Sequence, residues 1–310
     1  MTGVNFAWLE ITGKCQLECA HCYADSGPRG THGTMESDDW RRVIEQLASA
    51  GATMVQFIGG EPMLHPELSA LIEWALHCGL RVEVFSNLVH VPAGMWPVLE
   101  RPGVSLATSY YSDDSAEHAA ITGRPSYART RADIAEAVRR SIPIRAGIID
   151  LQPGQRVVGA HSELTDLGIR NVGTDRLRQV GRGVREREPD TSQLCGRCMS
   201  GVIAVSPDGA VWPCVFSRWL PVGNVLDREL VDILSSPEAR QTRADLEADF
   251  ATRKPATAGM GKGKGDGEGE GEELCDPRCG PSCGPACNPS CWPTGAGPCS
   301  PNGGCRPNYD

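Results

Sequence analysis

Between residue 4 and about residue 180, short apolar runs alternate with amphipathic stretches, and this alternation limits the fold more than any other feature of the chain. The runs at 4–11, 53–58, 81–86, 104–109, 143–149 and 170–174 read as strands. Between them, 37–50 places Trp40, Val43, Ile44 and Leu47 at helical spacing; 66–78, 127–140 and 158–167 repeat the pattern. Strands and helices taking turns in this way build a parallel sheet or barrel. Six such units fall short of the ~250 residues that a closed eightfold barrel takes. The expectation is therefore an α/β fold, an open partial barrel over residues 1–190, with functional groups at the C-terminal ends of its strands.

The pattern breaks after about residue 190. The run LCGRCMSGVIAVSPDGAVWPC reads as a β-hairpin turning at SPDG, with Val202, Val205 and Val211 in its strands and cysteines at both ends. A helical stretch follows over 227–250, which gives a cysteine-bearing region at 191–251. Residues 252–273 are glycine mixed with charges, a composition with nothing to pack, and are expected to form a flexible linker. The tail, 274–310, repeats Cys-x-Pro at four-residue steps through Cys275, Cys279, Cys283, Cys287 and Cys291, then adds Cys299 and Cys305. Proline bars helix there, and with few aliphatic residues the tail has little to fold around except metal or its host.

A net charge of -9 and the lack of any long basic cluster argue against nucleic acid as a partner. No run of apolar residues is long enough to span a membrane and no signal peptide opens the chain, so the expected location is cytoplasmic. In a reducing compartment, 14 cysteines point to metal ligation or redox chemistry instead of disulfides. Cys78 stands apart on an apolar helical pattern and reads as an inert packing thiol.

Three of those cysteines lie within eight positions, in KCQLECAHCYA. Thiolates spaced C-x3-C-x2-C, at Cys15, Cys19 and Cys22, suit three corners of a cubane iron–sulfur cluster, whereas structural zinc asks for a fourth donor. His21 or His32 would be that donor in a closed Cys3His zinc site. About forty residues on, at the end of the second strand, stands GGEP, residues Gly59, Gly60, Glu61 and Pro62. With these motifs in order, the chain through residue 225 resembles the radical S-adenosylmethionine (SAM) superfamily, whose fold is a partial (β/α)6, TIM-like barrel. The resemblance implies a 4Fe-4S cluster with one open iron, filled by the methionyl amino and carboxylate groups of SAM. It places His21 near the adenine, and the GGEP loop around the amino group. FSNL at 85–88 stands where relatives have Thr-Asn-Gly, so Ser86 and Asn87 face the site, although the glycine is missing. Ser109 becomes a ribose or carboxylate contact, His118, Ile121 and Gly123 match a downstream family pattern, and Arg178 would meet the cofactor carboxylate. Turn-forming polar groups at 86, 87 and 109, and a surface salt bridge at Arg178, remain the plainer readings.

Between Cys198 and Cys214 the spacing C-x10-G-x4-C resembles the entry to the SPASM extension, a small cysteine-rich region holding auxiliary iron–sulfur clusters. The later cysteines depart from the usual pattern. One or two auxiliary clusters are implied, with Cys195, Cys198 and Cys214 as ligands and tail cysteines completing the set; a zinc ribbon at Cys195 and Cys198 and a zinc-binding tail are the alternatives. The function implied is reductive cleavage of SAM to a 5'-deoxyadenosyl radical that abstracts hydrogen from a ribosomally made peptide or a protein side chain. Expected partners are a reductant such as flavodoxin or ferredoxin and, since the chain opens directly on its first strand, a separate leader-peptide-binding protein. A small-molecule substrate, such as a sugar or antibiotic precursor, and a non-catalytic iron–sulfur scaffold are the competing readings.

Overall fold

The structure, a computed structural model, describes residues 3–185 and 188–253. The seven tail cysteines, nearly all of the expected linker and every expectation resting on them lie outside those residues. Six parallel strands form the frame: β1 (Phe6–Thr12), β2 (Met54–Gly59), β3 (Arg81–Phe85), β4 (Val104–Tyr110), β5 (Ile144–Asp150) and β6 (Asn171–Arg176). The helices between them are α1 (Ser37–Ser49), α2 (Leu68–His77), α3 (Trp96–Leu99), α4 (Ser115–Thr122), α5 (Tyr127–Arg139) and α6 (Val157–Asp166). Each strand lies within two residues of its sequence-based position. Two helices, α3 and α4, fall in segments where periodicity gave no helix: α3 has four residues, and α4, capped by Asp114, has eight residues of mixed polarity, about two turns and too short to show a period.

Strand faces explain why the frame curls and where it is hollow. Alternate residues point to opposite faces. Ala7, Leu9 and Ile11 of β1, Val55 and Phe57 of β2, Val82 and Val84 of β3, and Ala146 and Ile148 of β5 join α1, α2 and α5 in one apolar core through Trp40, Ile44, Leu71, Ile72 and Ile134. The opposite, concave face is mixed. On it the Glu83 carboxylate takes two hydrogen bonds from Arg145, at 2.8 Å and 2.7 Å, and another from the Gln56 amide. This layer of Gln56, Glu83 and Arg145 is buried and charge-neutral, so the desolvation of each ion is offset by its partner.

The region after residue 190 is joined to this frame. β7 (Val202–Val205) lies parallel to β1, in register from Phe6 against Val202 to Leu9 against Val205. β8 (Ala210–Trp212) turns back antiparallel, as the SPDG signal requires, and β9 (Gly223–Asn224) follows, giving a nine-stranded sheet in the order β6-β5-β4-β3-β2-β1-β7-β8-β9. The helical stretch is two helices, α7 (Leu230–Leu234) and α8 (Pro237–Thr252), parted where Ser236 caps the second and Pro237 opens it.

Candidate active site

The loop after β1 carries Cys15, Cys19 and Cys22, and neighbouring backbone holds it on both flanks. On one flank, Glu18 N donates to Thr122 O and Ala20 N to Ile121 O, each at 3.1 Å, so the end of α4 and its His118, Ile121, Gly123 pattern brace the loop. On the other, Arg182 Nε donates to Cys19 O at 2.9 Å. The thiols themselves receive donors: Leu17 N and Ser26 N reach Cys15 and Cys22 sulfur at 3.4 Å, and Asn87 Nδ2 reaches Cys15 at 3.6 Å. Such contacts are the means by which a protein tunes thiolate ligands.

Over the loop opens a cavity with about 910 Å³ of empty space, continuous with solvent. All three cysteines line it, together with His21, Gly59, Gly60, Asn87, Ser109 and Arg178. Nine residues from five separate parts of the sequence thus face one space. Glu61 and Pro62 stand behind its wall. The Glu61 carboxylate accepts from Met63 N at 3.0 Å, Ser86 Oγ at 2.8 Å and Asn87 N at 2.8 Å, which ties the GGEP loop to the end of β3. Glycine is required at 59 and 60 because this loop presses on the end of β1 and the start of the cysteine loop: a Cβ would stand 2.3 Å from Thr12 O or 2.2 Å from Lys14 O. At the FSNL turn, Leu88 occupies the place of the missing glycine and takes the positive φ of 51° that a glycine would adopt without strain.

Arg178 does not lie at the surface. It is buried, paired with Asp175 at 3.2 Å, bonded to Gln193 O at 2.8 Å, and set 5.7 Å from the Phe216 ring. The remaining walls, including Ile58, Phe85, Tyr111, Ile149 and Phe216, are apolar or aromatic. Burial, with the charges of Arg182 and Arg185, pushes His21 down to about 4, so its ring is neutral at physiological pH, edge-on to Tyr111 at 5.0 Å. Burial, aided by crowding among the thiols and, at Cys15, the Glu61 carboxylate, pushes Cys15 and Cys19 up to about 12. Thiols that hold their protons as tightly as Cys15 and Cys19 do in the metal-free chain would release them to a metal.

A second cysteine group sits beside this one. Cys198 donates to Cys214 at 3.2 Å and also interacts with Cys195, and hydrogen bonding to both, with burial, raises its thiol well above the usual range. Phe216, two residues past Cys214, lines the cavity and packs edge-on against Tyr23 at 5.1 Å, beside Cys22. Arg218 anchors the same segment to β1, donating to both oxygens of the buried Glu10 at 2.8 Å and 2.6 Å while lying 4.3 Å from the Trp212 ring. Among the described residues, no three His, Cys, Asp or Glu side chains gather about a single ion position. His32 is engaged with Thr12 at 2.9 Å and packs on His65.

A half-barrel with three clustered thiols at the mouth of its cavity, and glycine backbone, polar and cationic walls around them, fits a site-open iron–sulfur cluster with a zwitterionic nucleoside ligand. That is the class of protein the fold and site define. Residues 9–157 match the Radical SAM superfamily and residues 176–257 match SPASM, an iron-sulfur cluster-binding domain. The chain belongs to the radical SAM superfamily and carries a SPASM region; its cofactors are a 4Fe-4S cluster, SAM and auxiliary iron–sulfur. PqqA peptide cyclase of Xanthomonas campestris is 27% identical over 281 residues, spanning 74% of this chain and 73% of that protein. The antilisterial bacteriocin subtilosin biosynthesis protein AlbA of Bacillus subtilis is 22% identical over 267 residues, 74% of this chain and 59% of its own. Streptococcus suis SuiB, in a crystal structure bound to precursor peptide SuiA, shares the fold with a TM-score of 0.65 at 12% identity, covering 83% of this chain and 69% of that one.

Sequence reasoning missed Asp175, Tyr111, Phe216, Arg182 and the Glu10–Arg218 pair. Glu10 carried a legible signal, a lone acid inside an apolar strand, which demands a buried partner. The others sit on turns whose approach to the cavity depends on the tertiary fold.

Proposed function

We propose that the protein is a radical SAM maturase that modifies a ribosomally synthesised peptide. The observation that carries this reading is that the SPASM region is built into the cavity wall itself, through Phe216 and the Arg178–Gln193 contact, as expected where a substrate is held between the two cysteine groups. Relatives named for peptide cyclisation and bacteriocin biosynthesis, and a fold neighbour bound to its precursor peptide, support it.

In this reading Cys15, Cys19 and Cys22 hold the cluster. Gly59 and Gly60 receive the amino end of SAM, with Glu61 and Pro62 fixing their position from behind; Arg178 meets its carboxylate, Asn87 and Ser109 its polar groups, and His21 its adenine. When bound, the two cofactors supply reductive carbon–sulfur cleavage and hydrogen abstraction from an unactivated carbon. The chain's own part is to orient and to keep water out. The apolar walls serve the second purpose. Cys195, Cys198 and Cys214 ligate auxiliary iron–sulfur, completed by cysteines of the tail. Arg253, the last described residue, donates to Leu194 O at 2.9 Å, so α8 returns the chain to the side of Cys195 before the tail begins. A flavodoxin or ferredoxin supplies the electron in the cytoplasm, and a separate protein presents the leader peptide. No helix among the described residues is long and apolar enough to cross a membrane.

The test is anaerobic reconstitution followed by reduction with SAM. Wild-type protein should release 5'-deoxyadenosine, and the variant with Cys15, Cys19 and Cys22 replaced by alanine should release none. Incubation with a precursor peptide encoded beside the protein should change that peptide's mass. Deoxyadenosine without any peptide change would point to another substrate; no deoxyadenosine at all would reduce the protein to a scaffold.

A further inference from the structure

We propose that Arg182, on the segment after β6, is a positioning residue for the cysteine loop, gripping the backbone of residues 19–26 and so setting where the Cys19 and Cys22 thiols point. The inference rests on the reading of that loop as the cluster ligand set. Its basis is a dense group of contacts at both ends of one turn. Arg182 Nε donates to Cys19 O at 2.9 Å, its Nη2 to Ser26 O at 2.6 Å, its Nη1 to Asp25 Oδ1 at 2.8 Å, and its backbone N to Cys22 O at 3.0 Å. One side chain therefore closes the turn that holds two of the three thiols. A planar guanidinium donates in three fixed directions at once, which an ammonium does not reproduce.

Two further observations show that this approach is built in. Gly181, with φ of 57°, lies so close to the loop that a Cβ would stand 2.4 Å from Tyr23 O. Only glycine allows the two backbones to meet there. Asp25, the carboxylate partner, itself has a positive φ of 53°, a strained state for a residue with a side chain, which persists where surrounding contacts fix it. The gripping segment is also fastened at its far end: Arg178 donates to Gln193 O and Gln179 N to Gln193 Oε1 at 2.9 Å, two residues before Cys195. Arg182 thus stands midway on a strap running from the first cysteine group to the second.

The test has an arm that needs no cofactor. Amide hydrogen exchange on metal-free protein should show residues 15–26 exchanging about tenfold faster or more in Arg182→Ala, with protection elsewhere unchanged, and an intermediate effect in Arg182→Lys. In the second arm, the reconstituted variants are titrated by electron paramagnetic resonance. The signal that changes on adding SAM should move to more negative potential in Arg182→Ala and shift less in Arg182→Lys, because a nearby cation favours the reduced, more negative cluster. Wild-type exchange in the loop of both variants, or an unmoved SAM-responsive signal, would overturn the proposal. If the alanine variant does not fold, the lysine variant decides alone, since it keeps the charge but not the three-way grip: unchanged loop protection overturns the proposal and a local loss upholds it. A wild-type loop that binds no iron would defeat the functional reading, while the exchange arm would still judge the grip.

Discussion

Among single residues, Glu61 shows how a family motif and a local structure divide one side chain's work. The motif places it at the cofactor, and the structure has its carboxylate engaged by three donors of the protein, behind the cavity wall. Burial, only partly offset by those donors, pushes its pKa up to about 7. In the metal-free protein the folded state therefore keeps a proton that the unfolded chain has released. That contribution to stability is full below about pH 4.5 and is lost as pH rises through about 7. Glu61→Ala should cost ~1–3 kcal/mol near pH 5, since it strands buried donors. Urea unfolding should show the gap to wild type narrowing toward pH 8; a constant gap would mean that Glu61 is already ionised in the folded chain. Position 88 gives the complementary lesson. The sequence lacks the expected glycine, and Leu88 nonetheless adopts the left-handed backbone, because Ser86 Oγ accepts its N–H at 3.0 Å and its side chain is fully buried. A missing glycine is thus weak evidence of a missing turn.

At the scale of elements, the six strands and four of the six helices between them were legible because a buried face imposes its period on the residues that make it, as Trp40, Val43, Ile44 and Leu47 do on α1. The hairpin was equally plain from SPDG. Its place was not: nothing local to Val202–Val205 says that it pairs with β1, a partner nearly two hundred residues away. Because all seven residues of β1 are buried and it is bonded on both edges, β7 is needed to cover it. A chain stopped after Leu194 would leave β1 as a long apolar edge, the kind that pairs with other molecules. Size-exclusion chromatography of that fragment should show aggregates where the longer chain runs as a discrete species. A well-behaved fragment would mean that the half-barrel covers β1 by other means. The site was legible to the same degree: the motifs marked the thiols and glycines, while the aromatic and arginine contacts were not visible, since each depends on loops meeting across the fold.

For the whole molecule, the open quantity is how much iron–sulfur one chain carries. Ten cysteines from Cys195 onward supply more than the eight thiolates of two fully ligated 4Fe-4S clusters. With Cys15, Cys19 and Cys22 replaced by alanine, iron and sulfide analysis should leave about four irons for one auxiliary cluster or about eight for two. Further loss of Cys195, Cys198 and Cys214 should remove at least one of them. Retention of all iron would place the auxiliary ligands wholly in the tail. One last feature bears on what such a molecule accepts. The cavity over the cysteine loop is continuous with solvent, so moisture can enter it from the rim. Whatever substrate seats itself in the rim must therefore also act as the stopper, and an ill-fitting guest would leave the reaction wet however well its reactive carbon were aimed.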